Sequence, residues 1–566
     1  MLKLSSRVCV VTLGVALLAF GPQSMAQPRT GDAEAQKKQI VRSVMEKMPD
    51  ARRRVLSGAA QNLARWAAPQ DEGDREGPGE RGAGGAPLAS RGVASLAKAK
   101  DRHVPVNDPS TDFTRSVLIG FTQSETSTAW CGENVVIGFN DSGSILETQS
   151  LGRGVSGAGV ARSTDHGRSF TDLGFLNPGP DPGAFLAGDP VVGCASATRF
   201  HYASIFQVFS EVDFSGRSAI SVSTSTDGGA TWGDPMLAVS KDIFEHFLDK
   251  DWMAVDPSNA NKLYVTYTDF AGFDLTPDCP FDFATNIELV RSIDGGLTWS
   301  SPVVVDSVCS GNGTVQGSQV VVGPAGEVNV AWERFPDFFQ VRQQAFRRST
   351  DGGQIFSPTV IVSDVTCTGD CLLYQGGFRS AEEFPSLAVD RSDGKTRGNL
   401  YLAWNDGRNK QVPDEGAVLG VYGYADILVS RSTDGGFTWS APVTANHDRS
   451  SRDTDQYMPG IAVDRGGRVG VCYYDRSLDR DNFKITRSCS TSKDAGFSWR
   501  LLRITNDEDS FEPFHGNDLF INPVYMGDYD ALASDTLEER SGFLGGFLDE
   551  RFQGNQNVLA NSVRFN

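Results

Sequence analysis

An eight-residue phrase recurs six times in this 566-residue chain and strongly limits what the chain can fold into. Its general form is Ser-x-Asp-x-Gly-x-(Ser/Thr/Ile)-aromatic. The copies are Ser163–Phe170, Ser225–Trp232, Ser292–Trp299, Ser349–Phe356, Ser432–Trp439 and Ser492–Trp499. Runs of strand-forming residues flank the phrase, so each copy is predicted to be the turn of a β-hairpin.

Each part of the phrase has a physical role in such a turn. The Asp carboxylate can accept hydrogen bonds from the backbone N–H groups that follow it. The Gly allows a positive φ without a Cβ clash, and the aromatic ring returns to the hydrophobic layer. We therefore predict a structural role for the six aspartates, which are Asp165, Asp227, Asp294, Asp351, Asp434 and Asp494.

The spacing of the phrase predicts the architecture. Asp165 and Asp494 are five repeats apart, which gives about 66 residues per repeat. That length suits one four-stranded blade of a β-propeller with its loops. Residues 110–566 hold about seven such units, one more than the number of phrases. The prediction is an all-β, seven-bladed propeller, with six blades as the alternative, closed by a strand at Ser116–Phe121 as the outer strand of the last blade.

The phrase resembles the Asp-box, or BNR repeat, of the sialidase-like β-propellers. In that family the box lies on the face away from the active site, so the resemblance implies ligand binding on the opposite face, around the central channel. Two features depart from the sialidases. Their catalytic domains have six blades, and their early Phe/Tyr-Arg-Ile-Pro motif is absent here, Thr114–Val117 being the nearest stretch.

Acidic and basic residues recur on the predicted channel face. Second strands end in an aromatic residue and an acid, as in Trp404-Asn-Asp406 and Tyr474-Asp475, and arginines follow several of them. The loops that lead into the blades add further acids, namely Asp189, Asp251, Glu383, Asp455 and Asp528. A structural interpretation, in which these acids accept backbone N–H bonds and pair with the next arginine, is favoured by their repetition in nearly every blade.

The functional interpretation uses the arginines that come from separate blades. Three guanidinium groups around one carboxylate are what recognition of sialic acid requires. The resemblance to sialidases also implies a tyrosine nucleophile, for which Tyr457 and Tyr525 are further candidates. The candidate catalytic residues are Arg408, Arg476, Arg551, Asp406, Asp475 and Tyr529.

Two functions follow as hypotheses. The first is an exported protein that acts on or binds extracellular glycans at the channel face, at its most specific a glycoside hydrolase of the exo-sialidase type. The second is a non-catalytic propeller that binds a protein or a polysaccharide on the same face. The fold alone does not decide between them.

The N-terminus predicts export. Lys3 and Arg7 precede the apolar run Val8–Phe20, which is too short to span a bilayer comfortably. We expect a signal peptide over 1–26 and a secreted or periplasmic protein that does not insert into a membrane. A helical arm is expected over 27–67, a Gly/Pro-rich linker over 68–109 and the propeller over 110–566.

Charge and cysteine content narrow the partners. The net charge of −19 argues against nucleic acid as a partner. We expect the partner to be a glycan or an extracellular protein, and the protein to be a monomer. Eight cysteines besides Cys9 predict disulfides, with the pairs Cys472–Cys489, Cys367–Cys371, Cys131–Cys194 and Cys279–Cys309. No cofactor or metal site is expected. The loops Asp479–Asn482 and Asp256–Asn259 have ligand types suited to Ca²⁺, but such loops are more often turns.

Overall fold

The computed structural model describes residues 103–564 with internal gaps. The gaps are 109–120, 150, 152, 211–214, 272–283, 310–312, 336–341, 372, 380–382, 418, 447–452, 506–508, 514–517, 519–524, 538–539 and 552–555. The predicted signal peptide and helical arm lie outside the described residues. In the part of the chain that is described, no helix has the length and hydrophobicity needed to cross a membrane.

Seven sheets form the blades of a propeller, as predicted: each has four antiparallel strands, and one has a fifth strand added in parallel. The first strand, β1 (His103–Pro105), belongs to the last blade. Blade 1 contains β2 (Gln123–Cys131), β3 (Asn134–Asp141), β5 (Ala158–Ser163) and β6 (Thr171–Phe175), with α1 (Ser142–Gln149) and β4 (Val155–Ser156) between β3 and β5. Blade 2 contains β7 (Ala184–Cys194), β8 (Phe200–Phe209), β9 (Gly216–Ser225) and β10 (Met236–Asp242). β4 pairs in parallel with β7.

The next three blades have the same order. Blade 3 contains β11 (His246–Val255), β12 (Leu263–Ala271), β13 (Ala284–Ser292) and β14 (Val303–Cys309). Blade 4 contains β15 (Thr314–Val322), β16 (Val328–Phe335), β17 (Arg342–Ser349) and β18 (Val360–Val365). Blade 5 contains β19 (Ser386–Val389), β20 (Leu400–Asp406), β23 (Asp426–Ser432) and β24 (Val443–Thr444), with the hairpin β21 (Gln411–Pro413) and β22 (Val421–Gly423) inserted.

Two blades complete the ring. Blade 6 contains β25 (Gln456–Val463), β26 (Val469–Asp475), β27 (Thr486–Ser492) and β28 (Arg500–Arg503), and blade 7 contains β29 (Leu532–Ala533), β30 (Gly542–Asp549) and β31 (Asn557–Arg564). The first strand of each blade lines the central channel. The hydrophobic core lies between the faces of neighbouring blades, where strands such as β2 are buried along their whole length.

The ring closes by the mechanism that the sequence predicts, but with a different strand. β1 pairs antiparallel with β31 as the outer strand of blade 7, joining the two ends of the propeller. The predicted strand Ser116–Phe121 was wrong as the partner of the last blade: Phe121 is in no strand, and 116–120 lies outside the described residues. The stretch 68–109 that was predicted to be a linker therefore already contains a propeller strand.

The six phrases are turns between the third and fourth strands of blades 1 to 6, and we call them box turns. In blade 3 the Ser292 hydroxyl donates to Asp294 Oδ1 at 2.8 Å and accepts from the Gly296 N–H at 2.9 Å. The Thr298 N–H donates to Asp294 Oδ1 at 2.9 Å. Gly296 has φ 91°, and Trp299 packs on the core between blades 2 and 3. The turn of blade 3 therefore has an aspartate that accepts a backbone N–H bond, a glycine with positive φ and an aromatic ring packed on the core.

Arginines that precede the box turns connect neighbouring blades. Arg291 Nη1 donates to the Gly352 carbonyl of the next box turn at 3.3 Å. Arg431 Nη1 does the same to the Ala495 carbonyl at 3.2 Å. These residues therefore hold the box face together.

Three of the predicted disulfides are present. Cys472–Cys489 joins paired residues of β26 and β27, Cys367–Cys371 closes a four-residue separation, and Cys131–Cys194 links blade 1 to blade 2. Cys309 is also disulfide-bonded, whereas its predicted partner Cys279 lies outside the described residues.

Candidate functional site

A β-bulge interrupts the channel-lining strand at the same place in five blades. In each case two residues of that strand lie opposite a single residue of the partner strand. In blade 1 the two residues lie between Ser124 and Ser127. The first bulge residue has a left-handed backbone in every case: Glu125, Asp189, Lys250, Gly317 and Met458, with φ from 50° to 66°. Left-handed residues other than glycine cost on the order of 1–3 kcal/mol each and concentrate at functional sites.

Three of these bulge residues are ionisable and come from the consecutive blades 1, 2 and 3. They are Glu125, Asp189 and Lys250, and each is 2% exposed or less. Together with Asp251, the second bulge residue of blade 3, and Tyr525, Asp528 and Tyr529 of blade 7, they form what we call the channel cluster. The sequence pattern identified its Asp189, Asp251, Asp528, Tyr525 and Tyr529, but not Glu125 or Lys250.

Glu125 is the most connected carboxyl group of the channel cluster. Its Oε1 accepts hydrogen bonds from the Tyr525 hydroxyl and from the Asp528 N–H, the latter at 2.9 Å. Its Oε2 accepts from Asn140 Nδ2 at 2.7 Å. Asn140 in turn accepts from the Asp189 N–H at 3.0 Å, so that blades 7, 1 and 2 are joined at this point.

Three carboxyl groups of the channel cluster, those of Glu125, Asp189 and Asp251, have a raised pKa. Burial raises the pKa of Glu125 well above its usual range, and the charges of Asp189 and Asp528 raise it further. Burial also raises the pKa of Asp189 and that of Asp251, with Lys250 opposing both shifts. Because these acids lie close together in a water-poor environment, ionisation of one of them raises the pKa of the others, so the neighbours of an ionised carboxylate keep their protons.

Lys250 is held by aromatic rings rather than by an ion pair. Its Nζ lies 3.6 Å from the centre of the Tyr529 ring and 5.1 Å from that of Trp252. Neither this Nζ nor either carboxyl oxygen of Asp251 has a hydrogen-bond partner in another described residue. Lys250 and Tyr529 also line a cavity of about 10 Å³ in the channel, which is the size of one water molecule. Polar groups without partners beside a cavity are available to bind water or a polar ligand.

The remaining blades bury their acids in closed ion pairs. Glu383 is bonded to Arg342 and to Thr368. Asp455, which leads into blade 6, accepts from the Tyr422 hydroxyl at 2.7 Å and lies 3.8 Å from Arg476 Nη1. These pairs fit the structural interpretation of the acids on the channel face, and so does the pair of Asp528 with Arg379 at 3.4 Å, whereas Glu125, Asp189 and Asp251 are not paired with an arginine in the described part of the chain.

The predicted arginine set is not assembled. Arg408 Nη2 bonds to Asp406 of its own blade at 2.6 Å and to Ser363 at 3.0 Å, on the outer strand of blade 4. Asp406 also accepts from the Trp404 indole N–H at 2.9 Å. Arg408 therefore points towards the rim of the propeller and not into the channel.

Arg551 and Arg476 are likewise occupied elsewhere. Arg551 Nε bonds to Asp549 at 2.9 Å, and its Nη2 lies 2.8 Å from His103 on the outer strand of blade 7. Arg476 is fully buried, with Nη1 donating to the Asn482 carbonyl at 2.7 Å. The structure thus gives each of the three arginines its own local partners and brings no two of them to a common acid.

The other predicted site residues divide in the same way. Asp475 accepts from the Ser477 N–H at 2.8 Å and the Ser488 hydroxyl at 2.6 Å, which is a structural role. Tyr529 does lie in the channel cluster, but its hydroxyl donates to the Pro190 carbonyl at 2.8 Å. Of the three candidate tyrosines, Tyr525 is the one whose hydroxyl bonds to a glutamate.

The two loops considered for Ca²⁺ use their carboxylates in turns. Asp479 accepts N–H bonds from Asp481, Phe483 and Lys484 at 2.8–3.1 Å. Asp256 accepts from the Ser258 N–H and hydroxyl at 2.8 and 2.6 Å. Among the described residues, no group of three or more His, Cys, Asp and Glu side chains could hold a metal ion.

Comparison with known proteins gives similarity in solved structures only. No family model and no curated protein matches the chain. A Hadza microbial sialidase is 14% identical, with 72% of this chain and 73% of that chain covered and a TM-score of 0.41. An α-L-arabinanase of Penicillium chrysogenum is 13% identical, with 69% and 97% covered and a TM-score of 0.41. A leech intramolecular trans-sialidase is 13% identical, with 69% of each chain covered and a TM-score of 0.39. At these values the likeness carries no information on activity.

Proposed function

We propose that the protein is an exported propeller that acts on glycans at the channel face, and that it hydrolyses a glycosidic bond there. The single observation that carries this proposal is the Tyr525–Glu125 hydrogen bond beside Asp189. A phenol next to a carboxylate base is an activated nucleophile, and a second carboxyl group kept protonated by burial is a general acid.

The proposed reaction uses these three groups in turn. Glu125 takes the proton of the Tyr525 hydroxyl as the phenolic oxygen attacks the anomeric carbon. The bond from that carbon to the leaving oxygen breaks, and Asp189 donates its proton to this oxygen. Water then attacks the anomeric carbon and gives a proton to the Asp189 carboxylate. The bond from that carbon to the phenolic oxygen breaks, the sugar is released, and Glu125 returns its proton to the phenolic oxygen. This is the retaining course that tyrosine-dependent glycosidases take.

The second candidate function is non-catalytic binding of a polysaccharide or a protein. Two observations favour it. Glu125 and Tyr525 are each only 1% exposed, and the three predicted arginines bond to other residues instead of meeting at one site. A binding propeller needs the channel cluster only as a rigid support for its loops.

Hydrolysis of a panel of fluorogenic glycosides by the chain from residue 27 onward separates the two candidates. The panel should include sialosides, arabinofuranosides and neutral hexosides. If the proposal is right, at least one is cleaved, and Glu125→Gln and Tyr525→Phe lower kcat by at least about 100-fold, as expected for loss of acid–base or nucleophilic catalysis.

Tyr529→Phe is the matched control. It removes a buried hydroxyl of the same cluster that bonds to a backbone carbonyl, and it keeps the ring beneath Lys250. Activity should survive it. No turnover on any glycoside, together with retention of the chain on immobilised polysaccharide, would instead establish the binding candidate.

A further inference from the structure

The most exposed large apolar side chains lie together on the box face. Among the described residues, five exceed 60% exposure, and all five stand in box turns of the consecutive blades 3 to 6. They are Ile293 (70%), Leu297 (67%), Ile355 (74%), Phe437 (64%) and Phe497 (66%). We call this set the apolar arc. Apolar side chains that cluster on a surface mark an interaction site, whereas scattered ones need no explanation.

The turns themselves do not require these residues. The hydrogen bonds of a box turn use the Ser, the Asp and backbone groups, and the positions before the Asp and after the second Gly face solvent. In blade 3 the Thr298 hydroxyl donates to Asp294 at 2.6 Å, and the other turns except that of blade 4 have the same bond. In blade 4 Ile355 occupies this position, so an apolar side chain replaces a hydrogen bond there.

The first described strand, β1, begins towards this same face. β31 ends at Arg564, whose Nη2 donates to the carbonyl of His166 in the blade 1 box turn at 2.6 Å. β1 runs antiparallel to β31, with His103 opposite Asn561 and Pro105 opposite Leu559. His103, the first residue of β1, therefore lies towards the box-face end of blade 7.

The sequence of this part complements the apolar arc. Over 31–66, apolar residues recur at helical spacing, beginning with Ile40, Val41, Val44, Met45 and Met48. The same stretch has eight Lys and Arg against four Asp and Glu, a net charge of +4, whereas residues 103–566 have 35 against 61, a net charge of −26. Opposite charges favour association of the two parts and orient it.

The connecting chain is long enough for intramolecular contact. Residues 67–102 are rich in Gly, Pro and charged residues, and 36 such residues have a root-mean-square end-to-end distance of about 30–35 Å. A tether of this kind gives an effective concentration in the millimolar range, so an intrinsic affinity of only about 0.1 mM suffices for the bound form to dominate.

We propose that residues 31–66 fold back as an amphipathic helical arm whose apolar face covers the apolar arc on blades 3 to 6. The arm thereby occupies the box face and leaves the channel face free. The contact buries Leu297, Phe437 and Phe497, which are each more than 60% exposed in the described part of the molecule.

Hydrogen–deuterium exchange of the chain from residue 27 onward, compared with the chain from residue 67 onward, tests this proposal. In the longer chain, amides of 31–66 should exchange about tenfold more slowly than an unstructured peptide, as the tether estimate implies. Leu297→Ser with Phe437→Ser should restore fast exchange in the arm. Val304→Ser is the matched control, since Val304 is 51% exposed in the same blade but lies outside the box turns. The arm should stay protected in it.

Two results would overturn the proposal. One is an arm that exchanges at the unstructured rate in the unaltered chain. The other is protection that appears only as the protein concentration rises, together with a dimer in light scattering, because this would assign the apolar arc to a second copy of the chain. The variants lie on exposed turns, and unchanged exchange in the channel-lining strands will show that the propeller remains folded.

Discussion

The Tyr525 hydroxyl of blade 7 donates a hydrogen bond to Glu125 of blade 1, across 400 positions of sequence. This hydrogen bond lies between blade 7 and blade 1, where the ring closes. The candidate site and the closure of the propeller therefore share it. The two residues should therefore be coupled both in stability and in activity.

A double-mutant cycle on Tyr525→Phe and Glu125→Gln measures this coupling. We expect each single change to lower the free energy of unfolding by about 1–2 kcal/mol, because a buried hydrogen-bonding group loses its partner. The double variant should lose about 1 kcal/mol less than the sum of the two. Urea unfolding at pH 7 provides the values, and Tyr529→Phe paired with Glu125→Gln should be additive. If the effects of Tyr525→Phe and Glu125→Gln on the free energy of unfolding are also additive, the hydrogen bond between the two residues contributes nothing of its own to stability.

The local part of the fold could be predicted from the sequence, because it depends on neighbouring residues. The hydrogen bonds of Asp294 and the positive φ of Gly296 lie within one phrase, and the spacing of the phrase gives the seven blades. The closing strand was missed because His103–Pro105 has three residues and no phrase beside it. Its pairing with Leu559–Asn561 depends on how the two ends of the propeller come together, not on the residues next to it in the sequence.

The candidate site could be predicted only in part. The acids that lead into the blades were recognised, but the bulges were not, because Glu125, Asp189 and Lys250 adopt positive φ without being glycine. Alignment of the channel-lining strands with each other would have provided a signal: the bulge position holds Glu125, Asp189, Lys250, Gly317 or Met458. The residue at the bulge position differs in chemical type from blade to blade, whereas the box turns keep nearly the same residues.

Aspartates on the two faces should respond to pH with opposite sign. The hydroxyl and then the N–H of Thr298 hold the pKa of Asp294 at about 2, so it favours the folded state above about pH 4 and loses this effect as the pH falls towards 2. Burial raises the pKa of Asp251, so the folded state binds more protons than the unfolded state, and stability falls as the pH rises above about 4.

Urea midpoints of Asp294→Asn and Asp251→Asn between pH 3 and pH 8 should show this contrast. Asp294→Asn should destabilise most at pH 7 and progressively less below pH 4. Asp251→Asn should be close to neutral at pH 4 and relatively stabilising at pH 8, because it removes the free-energy cost of keeping a buried acid protonated above its ordinary pKa. Parallel curves for the two variants would mean that Asp251 is not held protonated in the channel.

Two histidines should also respond to pH in opposite directions. His246 is desolvated, but its hydrogen bond with Asp269 at 2.9 Å and the charge of Asp269 outweigh burial and raise its pKa, against the opposing charge of Lys241. Its contribution is complete below about pH 6.5 and disappears as the pH rises through the raised value. Burial lowers the pKa of His201 to about 4, so stability is lost as the pH falls from about 6.5 towards 4.

Measurement of unfolding midpoints from pH 4 to pH 9 separates the two histidines. His246→Gln should remove a decline in stability that the unaltered chain shows above about pH 6.5. His201→Gln should remove a decline that appears below it. If His246→Gln leaves the upper limb of the profile unchanged, the Lys241, Glu288 and Tyr267 groups around Asp269 hold that site together without the histidine.

Each disulfide should stabilise the propeller more, the longer the stretch of chain that it closes. Cys472–Cys489 closes a separation of 17 residues and Cys131–Cys194 one of 63. Loop-closure entropy then gives about 3 kcal/mol for the first and about 4 kcal/mol for the second, since cross-links act mainly on the unfolded state. Unfolding of the two paired Cys→Ser variants in urea should show the larger loss for Cys131 and Cys194. A much larger loss than this would indicate that the bond between blades 1 and 2 also holds the folded ring, where Glu125 and Asp189 meet, and the proposed hydrolysis of glycosides should then fall with it.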